Sequence, residues 1–160
     1  IGATNVLRVV GKKLGFLTLI LDGLKGIIPI IIIETQAYDQ LLMYICGLAA
    51  MIGHIFPVWL KFKGGKGVAT FIFTIMYLNY KLGLSVIVIW IMSFLIFNYV
   101  SLSSVIAALS SILICYIIEP NNYYLFYFSL CACLLVLYKH KENYIRILNG
   151  QEPKIKIGKK

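Results

Sequence analysis

The stretch HIFPVWLKFKGGKGVATF, residues 54–71, separates two apolar runs and contains three lysines and three glycines. A loop between two membrane helices needs only to be short and polar, so this composition exceeds what a simple connection requires. Glycines leave backbone N–H groups free to turn toward a ligand, and the lysines supply positive charge. The stretch therefore predicts a break between two helices that can hold a negatively charged group.

The residues on either side of this break are too apolar for a soluble domain. The chain has 160 residues, of which 61% are hydrophobic, and its mean hydropathy is +0.90. A soluble domain is nearer half apolar, and a fold of this size has too little interior to bury the excess. Because apolar runs fill the chain, a single cleaved signal peptide does not explain them. The composition predicts an integral membrane protein.

Six apolar segments divide the chain. They are continuously apolar rather than alternating, which favours helices over barrel strands, so we expect an all-α, polytopic transmembrane bundle. The third segment is short for a membrane helix, which needs about 20 residues. A tilt, an extension into the next segment or a re-entrant course would each explain it. The segments are 15–33, 41–60, 67–80, 83–99, 102–118 and 123–138.

The formal net charge of +9 is distributed unevenly along the chain. Thirteen of the 15 basic residues lie before segment one, between segments two and three, or after segment six. Six crossings place those three stretches on one side, and the positive-inside rule makes that side cytoplasmic. The remaining connections carry Glu34, Asp39 and Glu119 with only Lys81, which agrees with the same topology.

The first two basic stretches hold residues that suit an anion. Lys66 stands beside glycines at the start of the third segment, whose N-terminal amides would face the same side. The alternative is a flexible basic turn; it is not the nucleotide-binding P-loop, because no Ser or Thr follows this lysine. Arg8, in GATNVLR, can hold a phosphate through two hydrogen bonds. The alternative is an orientation charge behind a helix cap at Thr4 or Asn5.

The third basic stretch, YKHKENYIRILNG, spaces His140, Asn143 and Arg146 three positions apart. In a helix these side chains share one face. They could act together at an aqueous site. The alternative is an amphipathic helix lying at the membrane surface.

Polar residues within the apolar runs are first expected to have structural roles. Asp22 and Lys25 lie three positions apart and are expected either to pair with each other or to snorkel toward the membrane surface. His54 precedes Pro57 and is expected to bridge backbone groups that the proline frees, with a catalytic role as the alternative. The four cysteines lie in apolar runs without metal-ligand spacing, which favours small hydrophobic residues packed in helices over a metal site or a disulfide.

Three stretches of the chain together resemble one protein family. They are IGATNVLRVVGKKLGFLTLILDGLKG (1–26), GHIFPVWLKFKGGKGVAT (53–70) and HKENYIRILNGQEPKI (140–155), in matching order among the apolar segments. They resemble the membrane-embedded bacterial acyl-phosphate:glycerol-3-phosphate acyltransferase family. The resemblance implies transfer of a fatty acyl group from acyl phosphate to the sn-1 hydroxyl of glycerol 3-phosphate, giving lysophosphatidic acid and phosphate in phospholipid synthesis.

The resemblance also implies an architecture and a location. Family members have seven helices in the bacterial inner (plasma) membrane, with the active site facing the cytoplasm. Residues 1–160 are then expected to form a single transmembrane acyltransferase domain with six of the seven helices, lacking the first. An active-site serine of the family would fall shortly before Ile1. The implied partners are acyl phosphate, glycerol 3-phosphate and membrane lipid, with no cofactor, metal or nucleic acid, and the oligomeric state stays open.

Carried over position by position, the resemblance assigns the site residues. The expected catalytic residues are Lys66, Arg8, Asn143 and His140. The expected substrate-binding residues are Asn5, Lys61, Gly64, Gly65, Gly67, Val68, Ala69, Thr70 and Arg146. The sequence departs from the family at Gln151, where threonine is frequent, and this change is not expected to affect the chemistry.

Our hypothesis gives these residues separate tasks. Lys66 and the amides of the glycine-rich stretch hold the phosphate of acyl phosphate. Arg8, helped by Arg146 or Lys61, holds glycerol 3-phosphate, and the asparagine of the third stretch orients a phosphate or the attacking hydroxyl. Either His140 or an oxygen of the donor phosphate takes the proton.

Other classes of protein fit the sequence less well. Acyltransferases that use a His-x-x-x-x-Asp pair are disfavoured, because Trp59 follows His54 at that spacing and Ile145 follows His140. A small anion carrier should place ionisable groups at mid-membrane, whereas segments four to six contain almost none. A purely structural membrane subunit is the remaining alternative, and it predicts no activity.

Overall fold

The computed structural model describes residues 2–36 and 39–155, which form eight α-helices and one 3-10 turn. The helices are α1 (Ala3–Val9), α2 (Lys12–Gln36), α3 (Gln40–Ile55), α4 (Val68–Leu78), α5 (Tyr80–Phe97), α6 (Val100–Ile118), α7 (Tyr123–Lys139) and α8 (Lys141–Leu148). The 3-10 turn, Val58–Leu60, lies between α3 and α4. Helices α2 to α7 correspond to the six apolar segments, which confirms the predicted all-α membrane bundle.

Four helical units in the described residues are long and apolar enough to cross a membrane, namely α2, α3 with the 3-10 turn, α5 and α6. Helices α7 and α8 meet at a bend of 53° and make a fifth if they are taken as one span. Large apolar side chains such as Leu17, Ile96 and Leu113 are exposed on the outer faces. These faces suit contact with lipid tails, which are as apolar as the side chains themselves.

Helix α4 is too short to span a bilayer alone. Its 11 residues rise about 16 Å, against a hydrocarbon core of about 30 Å. It still reaches the end of the bundle where α2 and α6 finish, because Tyr77 donates to Glu34 and Asn79 donates to Glu119. Of the three alternatives, an extension by Tyr80–Leu82 is wrong, since Asn79 ends α4 and caps α5 by accepting the Leu82 amide. Helix α4 is short because the loop before it is recessed into the bundle.

Helix α4 packs closely against α2 because α2 carries glycine at their crossing. A Cβ on Gly26 would overlap Thr74 Oγ1 and lie 3.0 Å from the carbonyl oxygen of Thr70. Small residues let membrane helices approach backbone to backbone. Ile30 and Phe71, which are almost completely buried, fill the adjoining core. The first turns of α4 are therefore fixed against the middle of α2.

Candidate active site

The glycine loop, residues 61–67, folds back onto the end of α3. The amides of Gly64 and Gly65 donate to the carbonyl oxygens of Ile55 and His54, both at 3.2 Å. A Cβ on Gly65 would overlap the imidazole of His54, so only glycine lets the backbone lie against this ring. The loop is therefore fixed against α3 rather than free in water.

The end of the glycine loop presents positive charge and free amides. Gly67 adopts a left-handed conformation, φ 77°, and begins α4 without a side-chain cap. The first amides of α4 therefore lack intrahelical acceptors. Lys66, Val68 and Ala69 all line one central cavity. A lysine beside the N-terminus of a helix is suited to binding phosphate.

Lys66 connects the glycine loop to α8. Its Nζ donates to Asn143 Oδ1 at 2.5 Å. Burial lowers the pKa of Lys66; Glu152 opposes this effect, and the charges of Arg146 and Arg8 add to it. The second and third basic stretches therefore meet in space, as the hypothesis for the site requires.

Glu152, in the segment after α8, holds the third basic stretch together. Asn143 Nδ2 donates to its Oε1 at 2.7 Å and Arg146 Nε donates to its Oε2 at 2.8 Å. Ser101, in the first turn of α6, donates to Oε1 at 2.7 Å. Burial alone would raise the pKa of Glu152, but these three hydrogen bonds outweigh it and hold the pKa below its usual value. Glu152 was not among the predicted site residues, although an acidic side chain in a basic tail is an identifiable signal.

His140 lies at the bend between α7 and α8 and borders the cavity. Its Nδ1 is 2.7 Å from the carbonyl oxygen of Val136 and therefore donates there, which leaves Nε2 as an acceptor. Burial lowers the pKa of His140 to about 4; the bond to Val136 opposes the shift and the nearby Lys66 adds to it. The imidazole is therefore uncharged at neutral pH.

Helix α1 brings the first basic stretch to the same cavity. Asn5 and Arg8, three positions apart on α1, both line it. Helix α1 fits closely against α2, because a Cβ on Gly15 would lie 2.8 Å from the Cα of Leu7. The three basic stretches thus meet at one end of the bundle, as predicted.

Nine of the thirteen predicted site residues line this cavity, and four do not. Gly64 and Gly65 form the part of the loop that packs against the end of α3. Thr70 is completely buried and donates to the backbone of α2. Lys61 ends the 3-10 turn in a left-handed conformation and is exposed. The nine are Asn5, Arg8, Lys66, Gly67, Val68, Ala69, His140, Asn143 and Arg146.

Asp22 and His54 also border the cavity. The predicted pair of Asp22 and Lys25 is confirmed, with Nζ 2.8 Å from Oδ1. His54 Nδ1 lies 3.5 Å from the same carboxylate oxygen, a contact that its position before Pro57 did not predict. The two side chains are almost completely buried, so α2 and α3 share an ionisable pair beside the glycine loop.

The cavity has a volume of about 980 Å³ and two kinds of wall. The cationic part of the lining consists of residues from the three basic stretches, with Arg8, Lys66 and Arg146 among them. The other part lies among α2, α4 and α5 and is lined by Phe16, Leu19, Ile72, Phe73, Ile87, Trp90 and Phe94. A charged part beside an apolar part suits an amphiphilic ligand with an anionic head. Among the described residues, no three His, Cys, Asp or Glu side chains are grouped to hold a metal ion.

Known proteins resemble this chain along nearly its whole length. The family model for glycerol-3-phosphate acyltransferase matches residues 1–150. The glycerol-3-phosphate acyltransferase of Ehrlichia canis (strain Jake) is 45% identical over 155 residues, which cover 97% of this chain and 80% of the relative. That of Pelagibacter ubique (strain HTCC1062) is 43% identical over 157 residues, covering 98% of this chain and 80% of the relative.

Two solved structures share the fold. Both are of PlsY (YgiH), an integral membrane glycerol 3-phosphate acyltransferase, one in its lysophosphatidic acid form and one in its glycerol 3-phosphate form. Each has a TM-score of 0.89 and 36% identity over 97% of this chain, and the match covers 79% and 78% of the respective solved chains. Sequence and fold together show that this chain belongs to the glycerol-3-phosphate acyltransferase family.

Proposed function

We propose that the protein transfers a fatty acyl group from acyl phosphate to the sn-1 hydroxyl of glycerol 3-phosphate, giving lysophosphatidic acid and phosphate. The observation that carries this proposal is a single cavity whose lining combines cationic and apolar residues. An acyl phosphate has the matching form, an anionic head on a hydrocarbon tail. The solved relative in its glycerol 3-phosphate form supports glycerol 3-phosphate as the acyl acceptor.

The donor phosphate is proposed to bind at the end of the glycine loop. Lys66, Val68 and Ala69 line the cavity there, and the first turn of α4 has no side-chain cap. These groups would bind the phosphate in the ground state and stabilise the charge that grows on it as it leaves. Asn143 holds the lysine ammonium in place, so little reorganisation is needed during the reaction.

Glycerol 3-phosphate is proposed to bind between α1 and α8. Arg8 lines the cavity from α1 and Arg146 lines it from α8. Of the three guanidinium nitrogens of Arg146, Nε alone donates to Glu152, which leaves the two terminal nitrogens for a phosphate. Lys61 lies outside the cavity wall, and this position favours Arg146 as the partner of Arg8.

The reaction requires one bond exchange and one proton transfer. The sn-1 oxygen forms a bond with the acyl carbon, the bond from that carbon to the phosphate oxygen breaks, and inorganic phosphate leaves. Phosphate is a good leaving group, so placing the two reactants side by side can supply much of the rate. The hydroxyl proton moves to His140 Nε2 or to a phosphate oxygen. Because the pKa of His140 is about 4, the phosphate is the better acceptor.

The site is further proposed to face the cytoplasm of a bacterial inner membrane. Arg8, Lys66 and Arg146 lie at the site end of the bundle, whereas Glu34 and Glu119 lie at the opposite end. Basic residues collect on the cytoplasmic side of membrane proteins. Labelling of single cysteines introduced at each end, in intact cells, tests this orientation.

The proposed reaction is tested by comparing two acyl donors. Purified protein in lipid nanodiscs is given labelled glycerol 3-phosphate with either palmitoyl phosphate or palmitoyl-CoA. We expect labelled lysophosphatidic acid and an equal amount of inorganic phosphate from palmitoyl phosphate alone. An equal rate with palmitoyl-CoA would contradict acyl phosphate as the specific donor. An ester at the sn-2 hydroxyl would contradict the assignment of the sn-1 hydroxyl as the acceptor.

A further inference from the structure

Asp22 contacts both flanks of the glycine loop. It lies within α2 and only 5% of its surface is exposed. Its carboxylate faces His54, which precedes the loop. Its backbone carbonyl oxygen accepts the hydroxyl of Thr70, which follows the loop, at 2.9 Å. One residue of a neighbouring helix therefore connects the beginning and the end of the loop.

On the first flank, His54 transmits the contact from Asp22 to the loop. Its Nδ1 lies 3.5 Å from Asp22 Oδ1, which orients the ring. A Cβ on Gly65 would overlap Nε2 of the same ring, and the Gly65 amide donates to the carbonyl oxygen of His54 at 3.2 Å. The orientation of the imidazole therefore determines where the backbone of Gly65 lies.

On the second flank, Thr70 fixes the start of α4. Its side chain is completely buried, and its hydrogen bond to Asp22 sets the rotation of the first turn of α4 about the helix axis. Val68 and Ala69 both line the cavity, and rotation of this turn would redirect their amides. The two flanks together determine the course of the loop between them.

The pair of Asp22 and His54 is costly at this place. Asp22 is ten residues beyond the start of α2, or about 15 Å along the axis, inside an apolar span. Ionisable groups within such spans are expensive and mark functional positions. Lys25 gives the carboxylate a charge partner, but the lysine side chain is 59% exposed. Pairing with Lys25 therefore accounts for the carboxylate and not for the buried imidazole.

We propose that Asp22 and His54 are positioning residues, which hold the glycine loop so that Lys66 and the α4 amides point at the donor phosphate. The inference rests on the proposed function in one respect, that the loop binds a phosphate. A substitution far from the reacting atoms that misplaces a binding group by about 1 Å can lower the rate on the order of 10²-fold. The pair therefore acts on turnover through the loop rather than by touching the substrate.

The first test is a double-mutant cycle measured as kcat/KM for the acyl donor. Asp22→Asn and His54→Ala should each lower it on the order of 10²-fold, and the double variant should lose no more than either alone. Lys25→Met, which removes the other partner of Asp22, should stay within about twofold. Losses that multiply in the double variant, or an equal loss in Lys25→Met, would overturn the proposal.

A conservative variant separates positioning from folding. His54→Asn keeps an N–H donor near the Nδ1 position, so it should recover most of the activity that His54→Ala loses, at an unchanged melting temperature. Activity in His54→Asn that is no higher than in His54→Ala would contradict an orienting role for the contact with Asp22.

A second test does not depend on the identity of the donor. Inorganic phosphate should raise the melting temperature of the wild-type protein, and it should raise that of Asp22→Asn and His54→Ala much less. If the wild-type protein is inactive with palmitoyl phosphate, the donor assignment fails, while this measurement still decides the role of the pair. Equal stabilisation of all three proteins by phosphate would overturn the positioning role of Asp22 and His54.

Gly65→Ala provides a test that remains valid if Asp22→Asn does not fold. In the wild-type background the added methyl meets the His54 imidazole, so activity should be lost. In the His54→Ala background the methyl has room and should cost little beyond His54→Ala itself. An equal additional loss of activity in both backgrounds would show that the His54 ring does not determine the position of the loop.

Discussion

Lys66 Nζ lies 2.5 Å from Asn143 Oδ1, which joins the glycine loop to α8 across 77 positions of sequence. The amide nitrogen of Asn143 donates to Glu152 Oε1 at 2.7 Å. A neutral amide therefore stands between the ammonium and the carboxylate. The lysine is held in place without being neutralised in a direct ion pair, so its charge remains available to an anionic substrate.

Replacing Lys66 with alanine should strongly reduce acyl transfer. The variant loses the cation that stabilises the leaving phosphate, so kcat/KM should fall on the order of 10²-fold or more. Steady-state kinetics with palmitoyl phosphate and labelled glycerol 3-phosphate measure the loss. Lys63→Ala is the matched control, because Lys63 is an exposed lysine of the same loop and should keep nearly full activity. Normal turnover by Lys66→Ala would rule out the loop as the phosphate site.

Replacing Glu152 with glutamine should destabilise the protein at neutral pH by about 1–3 kcal/mol. Three hydrogen bonds hold the pKa of Glu152 below its ordinary value of 4.5. Its contribution to the free energy of unfolding is therefore fully present above the unfolded pKa and is lost as pH falls through the folded pKa. Melting temperatures of both proteins from pH 7 down to pH 3 should converge at the acid end.

Glu142→Gln serves as the control for this pH dependence. Glu142 is an exposed acid in the first turn of α8, and removing its charge should leave the stability curve close to that of the wild-type protein. A gap between wild type and Glu152→Gln that stays constant down to pH 3 would show that the carboxylate charge does not hold α8 in place.

The sequence predicted the membrane bundle because lipid imposes a continuous apolar pattern on each spanning helix. Lysine and arginine also collect on one face whatever the protein does, which allowed the three basic stretches to be placed together. The depth of the glycine loop was not predictable in the same way. It depends on the close packing of Gly26 against α4, and a glycine in an apolar run carries no local sign of what it contacts.

The supporting residues of the site were harder to find than the residues that line it. Lys66 and Arg8 carry charge in a polar stretch, so their types alone indicate anion binding. Asp22 and His54 lie 32 positions apart and on different helices, and each has an ordinary local explanation. Glu152 acts through partners on α6 and α8. Contacts of this kind depend on helix packing, which a single sequence does not specify.

Replacing His140 with glutamine should leave the shape of the pH–rate profile unchanged between about pH 6 and pH 8. With a pKa of about 4, the imidazole is already neutral over this range, so it cannot produce a titration there. The rate itself should fall at every pH, because the ring contact with Val136 is lost. A limb near pH 6.5 that is present in the wild-type profile and absent from the variant would restore His140 as the proton acceptor.

Replacing Ile87 with tryptophan should shift the preferred acyl chain toward shorter lengths. Ile87 lines the apolar part of the cavity, and a larger ring there occupies space that a long tail needs. A palmitoyl tail comes from the bilayer, where its surroundings are already apolar, so the effect is steric. The ratio of kcat/KM for palmitoyl over octanoyl phosphate should fall about tenfold or more. Val88→Trp, on the exposed face of the same helix, should leave the ratio unchanged, and an equal fall in both variants would place the tail outside this cavity.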